Sequence, residues 1–308
     1  MASHPEVIHG SASYPRPSPG PVLTIGNFDG VHRGHRVLID RVVAVARETD
    51  RPVCVYTFHP APRDVLRPGN PIPRIQILED RLASLGEAGV DQVVVEPFDR
   101  SFAAQSARSF AEDILRDRLG VSALVLGWDF RFGRGREGRV EDLRAWLGVP
   151  VEQVAPYAPG GEVVSSSRIR EAVRAGEVEE AAILLGRPHE VVGEVGSGDG
   201  RGQGLGFPTA NVTSETVLLP ADGVYVIEVD LGDGVRRPGV ANLGTRPTFD
   251  GVDRRLEVHL LDWSGELRGR RVRVHFLERL RGERAFPSRE ALIDQIHADV
   301  SAARERLS

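Results

Sequence analysis

The stretch from residue 22 to residue 35 decides the fold of the first half of the chain. It reads Val22-Leu23-Thr24-Ile25-Gly26-Asn27-Phe28-Asp29-Gly30-Val31-His32-Arg33-Gly34-His35. Its first four residues are a short apolar strand pattern, and helical spacing follows, with Leu38, Val42 and Val45 on one face. A glycine-rich turn from a strand into a helix favours phosphate binding, because the free N–H groups at the helix N-terminus point at the anion.

Two histidines in this turn indicate chemistry on a polyphosphate. His32 and His35 share one face of the first helical turn, where two imidazoles can donate to a triphosphate and to the charge on a departing pyrophosphate. Two other interpretations are a pair of surface histidines and a zinc site. We favour the phosphate interpretation because the pair follows Gly26 and Gly30 directly and no third zinc ligand lies nearby in sequence.

The pattern along the chain predicts two domains of different class. Apolar strand patterns at 53–56, 93–95 and 124–126 alternate with amphipathic helical patterns, which predicts an α/β domain with a parallel sheet over residues 21–185. Residues 1–20 are expected to be a flexible tail. After Gly186 strand patterns recur, which predicts a mainly β domain over residues 186–308: a small antiparallel barrel or sandwich with a terminal helix that begins near Ser288. The five strand patterns are 191–195, 224–229, 235–241, 256–261 and 271–276.

The composition excludes several classes of function. The 308 residues contain one cysteine, Cys54, so neither a disulfide framework nor a cysteine zinc site is possible. A net charge of -5 argues against nucleic acid or an anionic membrane as a partner. No residue is a lysine, which rules out a Walker A loop and a Schiff base. We expect a cytoplasmic protein, a monomer or a transient homo-oligomer, that binds small molecules.

Three further motifs of the first half have a physical interpretation of their own. Residues Phe58, Pro60 and Pro62 form a stiff apolar wall suited to a flat ring, or else an ordinary proline-rich turn. The segment 127–133 follows a strand, at the place where open α/β sheets bind ligands, and Asp129 there suits a ribose hydroxyl or a metal. Residues 165–167 are three serines before a helical pattern, which suits helix capping as well as phosphate binding.

The second half contains a glycine-dense stretch over residues 193–211. A flexible linker is the simplest interpretation, but flanking strands and the ending Phe207-Pro208-Thr209-Ala210-Asn211 argue against it. A loop of this kind can wrap a polyphosphate through its backbone N–H groups. The side-chain oxygens of Thr209 and Asn211 are suited to orient Mg²⁺ and phosphate.

The motifs together resemble one family, the prokaryotic bifunctional riboflavin kinase/FAD synthetases, over about residues 21–305. The resemblance rests on the His-x-Gly-His turn, the segments at 57–62, 127–133 and 165–170, the Gly-Phe-Pro-Thr-Ala-Asn run at 206–211, and the later segments at 242–249, 256–262 and 280–286. It implies a Rossmann-like nucleotidylyltransferase domain that adenylylates FMN to FAD with release of pyrophosphate. It also implies a barrel that phosphorylates riboflavin to FMN, with ATP as co-substrate of both reactions and Mg²⁺ as the metal.

The resemblance also implies a role for each matching residue. Catalytic roles fall on His32, His35, Arg170 and Glu257. In the adenylyltransferase, ATP would contact Gly26, Asn27, Phe28, Asp29, Gly30, Gly34, Asp129, Ser165, Ser166 and Ser167, and flavin would contact Phe58, Pro60, Pro62, Phe130 and Phe132. In the kinase, ATP would contact Gly198, Gly206, Phe207, Pro208, Thr209 and Asn211, flavin would contact Asn242, Arg281 and Phe286, and the metal would be held by Thr209 and Asn211.

Two departures from the family pattern keep alternatives open. Ser197 stands where a histidine is common, and Gln203 stands where an arginine is usual, which removes a charge near the ATP phosphates. One alternative is therefore a single-activity FAD synthetase with a weak or inactive kinase domain. The other is a non-catalytic flavin or nucleotide sensor, which would bind flavin tightly without turning over ATP.

Overall fold

The computed structural model describes residues 4–15, 19–196, 207–214, 218–248 and 251–307, with the backbone alone at 246–248 and 251–253. The chain divides into two compact units. The first unit comprises Met1–Ile72 and Leu78–Ser165, and the second comprises Pro73–Ile77 and Ser166–Ser308. Each unit has its own sheet and its own apolar core.

The first unit is built on six parallel strands. These are β1 (Glu6–His9), β2 (Val22–Ile25), β3 (Val53–His59), β4 (Gln92–Pro97), β5 (Ala123–Gly127) and β6 (Val151–Val154). Its α-helices are α1 (Arg33–Thr49), α2 (Pro62–Leu66), α3 (Leu78–Glu87), α4 (Arg100–Ala103), α5 (Ala107–Ser109) and α6 (Val140–Leu147), with a π-helical stretch at Phe110–Arg118. The predicted parallel sheet is confirmed.

The strand order places the carboxyl end of β2 at the centre of the sheet. The order is β1-β4-β3-β2-β5-β6, so the chain runs from β2 to one side through β3 and β4 and then returns to β5 on the other side. In such a sheet the crevice outside the carboxyl ends of the strands where the order reverses is the preferred ligand site. Here that crevice lies where β2 and β5 end.

Helices cover both faces of this sheet, as the apolar strand patterns predict. Leu23, Cys54 and Leu124 point to the face covered by the π-helical stretch and α6. Val22, Val55 and Val125 point to the other face, against α1 and α3. Successive side chains of a strand point to opposite faces, so nearly continuous apolar strands need cover on both.

The N-terminal segment differs from the expected flexible tail. Residues 6–9 form β1, which pairs in parallel with β4 at the edge of the sheet. The hydroxyl of Tyr14 donates to Gln92 at 2.8 Å, and the Ser11 N–H donates to Glu96 at 2.7 Å. The prediction of a tail was wrong for this stretch because Ser- and Pro-rich composition hides the short apolar pair Val7 and Ile8.

The second unit contains the predicted antiparallel barrel. Its strands are β7 (His189–Gly196), β8 (Ala210–Thr213), β9 (Gly223–Asp230), β10 (Arg236–Thr248), β11 (Gly251–Leu260) and β12 (Arg271–Arg281). They close in the order β10-β11-β8-β7-β12-β9 around a core that includes Val191, Tyr225 and Phe276. Five of these strands match predicted patterns, and β8 was not predicted as a strand.

The α-helices among the described residues of the second unit are α7 (Ser166–Ala175), α8 (Val178–Leu185) and α9 (Arg289–Leu307). The N-terminus of α9 is capped by the Ser288 hydroxyl, which accepts from the Ala291 N–H at 3.2 Å, as the predicted start near Ser288 requires, and Val300 is buried. The segment Pro73–Ile77 also packs here, since the Arg74 carbonyl accepts from the Leu218 N–H at 2.8 Å. The unit thus includes residues 166–185, which the sequence patterns group with the α/β domain.

Candidate active sites

The turn between β2 and α1 lies at the sheet's reversal point and has an unusual backbone. Gly30 has a φ of 90°, and two buried residues without the freedom of glycine, Phe28 and Val31, have φ values of 50° and 35°. Positive φ in bulky residues is a local strain of the kind found at functional sites. The β2–α1 turn therefore has a shape that its surroundings must hold in place.

His32 and His35 lie together at the N-terminus of α1. His32 is the N-cap, and its Nδ1 accepts from the His35 N–H at 3.3 Å, in the role that Ser or Asp usually takes. The two rings stack with centroids 3.6 Å apart and planes inclined by 17°. Because Nδ1 of His32 is an acceptor, the ring's N–H is on Nε2, where it can serve as a donor to an anion.

The environment of His35 keeps its ring neutral. Burial of the ring, the adjacent His32 and the Arg81 guanidinium, in that order, hold the pKa of His35 well below its ordinary value of 6.5. Its Nδ1 is buried and has no hydrogen-bond partner within the described part of the chain. A buried polar atom without a partner is costly, so this nitrogen is suited to a bound ligand.

Gly34 brings another segment against this helix start. A Cβ at Gly34 would lie 3.1 Å from the Val164 carbonyl oxygen and 3.2 Å from the His32 ring. The chain just before Ser165 therefore passes beside the first turn of α1. Ser165 belongs to the first unit, whereas Ser166, Ser167 and Arg170 begin the second, where the Arg170 Nε donates to the Pro73 carbonyl at 3.0 Å.

An aromatic cluster follows the end of β3. Phe58 contacts Phe98 and Phe102 with centroids 5.5 and 6.1 Å away, and the contacts continue through Phe110 to Phe132. Phe130 stacks on Phe132 at 5.6 Å. The structure thus places Phe58, Phe130 and Phe132 in one cluster, with Pro60 exposed and Pro62 as the first residue of α2. Phe98 and Phe102 were missed because they lie outside any recognised motif.

Asp129 lies in the turn that follows β5, the strand next to β2. Its side chain is exposed, and its neighbour Trp128 is 50% exposed although it is large and apolar. The Gln153 amide donates to the Trp128 carbonyl at 2.8 Å and fixes this turn to the end of β6. The position of Asp129 after β5 agrees with the ligand crevice of the sheet.

In the barrel, three polar residues form a row across neighbouring strands. Glu257 of β11 stands opposite Asn211 of β8 on one side and opposite Asn242 of β10 on the other. The flanking residues Leu256 and Val258 are buried in the barrel core, so the row lies on the outer face. The Asn211 Oδ1 is buried without a hydrogen-bond partner among the residues that the structure describes.

The segment before this row packs against α9. The Phe207 ring lies 4.8 Å from the ring of His297 and 5.7 Å from that of His259, whose Nδ1 is 2.9 Å from the Pro208 carbonyl oxygen. Pro208 and Thr209 are exposed. The predicted ATP contacts Gly198 and Gly206, and the departures Ser197 and Gln203, lie outside the described residues.

Arg281 has a partner that the sequence did not indicate. Its guanidinium donates to both carboxylate oxygens of Asp299 on α9, at 2.8 to 3.2 Å, and it lies 5.7 Å from the Phe286 ring centroid. Arg284 flanks the same ring at 5.6 Å. Arg281 therefore ties β12 to α9 and holds Phe286 beside this contact.

The acidic and imidazole side chains of the described ranges form no group of three or more that could hold a metal ion. A magnesium site built mainly on phosphate oxygens needs fewer protein ligands, because Mg²⁺ keeps several waters and binds substrate phosphates. The buried Oδ1 of Asn211, an oxygen ligand beside a carboxylate, fits such a site. Within the same ranges, no helix has the length and apolar character needed to cross a membrane.

Fold and site define a transferase that handles nucleotides: a parallel sheet with a phosphate-type turn and paired histidines, followed by an antiparallel barrel with an Asn–Glu–Asn row. Comparison with known families agrees, since a FAD synthetase model matches residues 15–168 and a riboflavin kinase model matches residues 185–307. The chain belongs to the family of bifunctional riboflavin kinase/FMN adenylyltransferases.

Individual relatives span almost the whole chain. Proteins named bifunctional riboflavin kinase/FMN adenylyltransferase match from Escherichia coli strain K12, at 42% identity over 94% of this chain and 93% of the relative, and from Haemophilus influenzae, at 39% over 97% and 98%. A crystal structure described as a macrolide-efflux protein from Streptococcus pneumoniae has a TM-score of 0.89 at 31% identity, covering 98% of this chain and 99% of that one. The predicted bifunctional enzyme of flavin cofactor synthesis is confirmed at this level.

Proposed function

We propose that the β2–α1 turn of the first unit is where ATP is bound and cleaved for FMN adenylylation. The observation that carries this proposal is the stacked His32–His35 pair at the reversal point of the sheet. Gly26, Asn27, Asp29, Gly30 and Gly34 supply the turn around the phosphates. The aromatic cluster that contains Phe58 and Phe130 supplies the flavin side.

In this reaction a phosphate oxygen of FMN attacks the α-phosphorus of ATP. The new P–O bond forms in line with the breaking bond to the β-phosphate, and pyrophosphate leaves with the charge of that oxygen. The N–H groups of His32 and His35 donate to this charge, and because they are fixed by stacking and capping before the reaction, no reorganisation is needed. The Val164 carbonyl, just before Ser165, lies beside the same helix start. Roles for Asp129, Ser166, Ser167 and Arg170 rest on the family resemblance.

For the barrel we propose that Glu257 accepts the proton of the riboflavin ribityl hydroxyl as that oxygen attacks the γ-phosphorus of ATP. The oxygen–phosphorus bond forms, the bond to the β-phosphate breaks, and ADP leaves. Thr209 and Asn211 would hold Mg²⁺, which when bound neutralises charge on the phosphates. The buried Oδ1 of Asn211 next to Glu257 supports this placement.

We further propose that, by function, the adenylyltransferase domain covers residues 21–185 and the kinase domain covers residues 186–308. This division differs from that of the compact units, in which α7 and α8 belong to the second. Within the kinase, Asn242 would contact flavin from its place beside Glu257, and Phe286 would do so from beside Arg281. The single cysteine is buried and forms no disulfide, which suits the reducing cytoplasm. We expect the enzyme to act as a monomer or a transient homo-oligomer.

The deciding experiment is incubation of the full chain with riboflavin, ATP and Mg²⁺, followed by chromatography of the flavins over time. FMN should appear first and FAD after it, with one ADP and one pyrophosphate released per FAD formed. A chelator in excess over Mg²⁺ should stop both steps. FAD formation from added FMN without any FMN formation from riboflavin would identify a single-activity enzyme. Flavin binding without release of ADP or pyrophosphate would identify a sensor.

A further inference from the structure

Arg81 lies on α3 and reaches two functional segments of the first unit at once. The side chain is 5% exposed, and its Nη1 donates to the Asn27 carbonyl oxygen at 2.7 Å. Its Nη2 donates to the Phe58 carbonyl oxygen at 3.4 Å. One guanidinium therefore bridges the β2–α1 turn and the end of β3, where the aromatic cluster begins.

The Asn27 carbonyl is held from two sides. Besides Arg81, the Thr57 hydroxyl donates to it at 3.4 Å. In a trans peptide the carbonyl and the following N–H point in opposite directions, so fixing the Asn27 oxygen also fixes the direction of the Phe28 N–H. Phe28 is the first of the two residues with positive φ in this turn. A strained conformation of this kind persists only where its surroundings determine it.

We propose that Arg81 is a positioning residue for FMN adenylylation: its planar fork fixes the β2–α1 turn that carries the nucleotide and couples that turn to the flavin side at Phe58. The inference rests on the proposed function of the turn and extends it to a residue that touches neither substrate. Arginine suits this task because its donors are arranged in a rigid fork, whereas a lysine ammonium is a point charge on a flexible stem.

The electrostatics of the site agree with this placement. Arg81 is among the groups that lower the pKa of His35, so its charge acts on the histidine pair as well as on the turn. Without the charge of Arg81, only burial and His32 remain as causes of the lowered pKa of His35. The ring of His35 should then take up a proton at a higher pH, which NMR titration of the histidines can measure.

The first test compares Arg81→Gln and Arg81→Lys in the full chain. We expect kcat/KM for FMN adenylylation to fall about 100-fold for Arg81→Gln, mostly in kcat, because a misplacement of about 1 Å at reacting groups has this effect. Arg81→Lys should recover part of the loss. The matched control is Arg41→Gln, which removes a two-point contact with Glu152 at 2.7 and 2.8 Å elsewhere in the same unit and should leave both activities unchanged.

The second test separates positioning from a general loss of fold. Thr57→Val removes the other donor to the Asn27 carbonyl. Because both residues act on the same carbonyl, the loss of kcat in the double variant should differ from the product of the losses in the two single variants. We expect the double variant to deviate by about threefold or more from the product of the single effects. Multiplying effects, or an Arg81→Gln loss explained wholly by a smaller fraction of folded protein in thermal unfolding, would overturn the inference.

His35→Ala, assayed in parallel, distinguishes a failure of the inference about Arg81 from a failure of the proposed function. If His35→Ala abolishes FAD formation and Arg81→Gln does not change kcat, the inference about Arg81 fails and the proposed function stands. If FAD formation survives His35→Ala, the proposed function itself fails. Riboflavin phosphorylation, measured on each variant, should stay within about twofold of the wild type, because the kinase site lies on the barrel.

Discussion

Under the proposed assignments, the β2–α1 turn and the Asn211–Glu257–Asn242 row serve the same kind of chemistry with different chemical groups. In the first, the donors are backbone N–H groups and two imidazoles at a helix start. The second offers one carboxylate and two side-chain amides on the outer face of three antiparallel strands. A parallel sheet concentrates strand and helix ends at one edge, whereas a barrel offers a pleated surface on which opposite residues form rows.

The difference explains how a chain without lysine can act twice on a triphosphate. A helix N-terminus attracts anions through its dipole and its free N–H groups, so the proposed first site can hold phosphates without a lysine. The barrel row has a carboxylate and amides and no such dipole, so the proposed kinase site would depend on a metal ion to balance the phosphate charge. If the proposal holds, removal of Mg²⁺ deprives the barrel site of its main source of positive charge.

The largest effect that separates the two sites should come from Glu257→Gln. A side chain that takes a proton in the transition state contributes on the order of 100- to 10,000-fold in rate. We expect riboflavin phosphorylation to fall by this factor while FAD formation from supplied FMN continues at the wild-type rate. Initial rates of ADP release with riboflavin, and of pyrophosphate release with FMN, measure the two steps separately. Equal loss of both would show that one site serves both reactions.

His32→Ala and His35→Ala should give the reverse pattern with a smaller factor. Loss of one donor to developing charge lowers the rate by about 100- to 1,000-fold. Pyrophosphate release from ATP with FMN should fall accordingly, and riboflavin phosphorylation should persist. The control is Arg41→Gln, since Arg41 is on the same helix as His35 but pairs with Glu152. A rate loss in the control equal to that in the histidine variants contradicts a specific role for the imidazoles.

The contact between Arg281 and Asp299 should contribute mainly to the stability of the second unit. The side chains are 18% and 8% exposed, and removing one partner of a buried ion pair typically destabilises a protein by about 3 kcal/mol or more. We expect Arg281→Met to lower the free energy of unfolding of the second unit by this amount. Arg306→Met, which removes the more exposed pair with Glu278 between the same two elements, should change it by less than about 1 kcal/mol.

Urea titration followed by far-UV circular dichroism measures both variants. If Arg281→Met and Arg306→Met shift the midpoint equally, the Asp299 contact carries no special weight, and Arg281 stays assigned to flavin alone. If Arg281→Met also raises KM for riboflavin at temperatures where the variant is fully folded, the residue has a part in both fold and binding.

Much of the fold could be predicted from sequence because apolar periodicity reports burial directly. The parallel sheet and five barrel strands follow from it. Strands β1, β6 and β8 were not predicted because each has four residues of which only two are apolar, whereas β2, equally short, has three apolar residues in four. The sequence patterns also do not show that α7 and α8 belong to the same unit as the barrel, because long-range packing decides which unit a helix joins.

The two charged residues missed, Arg81 and Asp299, carry a common signal that was present in the sequence. Arg81 follows Leu78 by three residues and precedes Leu85 by four, so it lies on the apolar face of α3. Asp299 holds the same kind of position on α9, three residues after Ile296. A charged residue on the apolar face of a helix is buried with a partner, and the spacing shows the position but not the partner. The partners, a pair of carbonyls and Arg281, come from other elements.

The smallest expected effect is the pH dependence of the unfolding free energy, to which each unit contributes one buried histidine. Burial is the main reason why the pKa values of His35 and, in the barrel, His275 lie below the ordinary 6.5. For His275 the carboxylate of Glu190, with its Oε2 3.5 Å from Nδ1, partly opposes the shift. Both rings are neutral when folded and gain a proton on unfolding below pH 6.5. The unfolding free energy should thus decrease as the pH falls below 6.5 and stay level just above it.

Urea unfolding at pH 5.5 and pH 7.5 tests this pH dependence, and the two histidine variants show how much of it each unit contributes. His35→Gln should reduce the stability difference between the two pH values by more than His275→Gln does, because the charge of Arg81 adds to burial in lowering the pKa of His35, whereas Glu190 opposes the lowering of the pKa of His275. The comparison uses the change with pH within each variant, which removes the loss of stability common to both conditions. A pH dependence that neither substitution alters would mean that these rings titrate alike in the folded and unfolded chain.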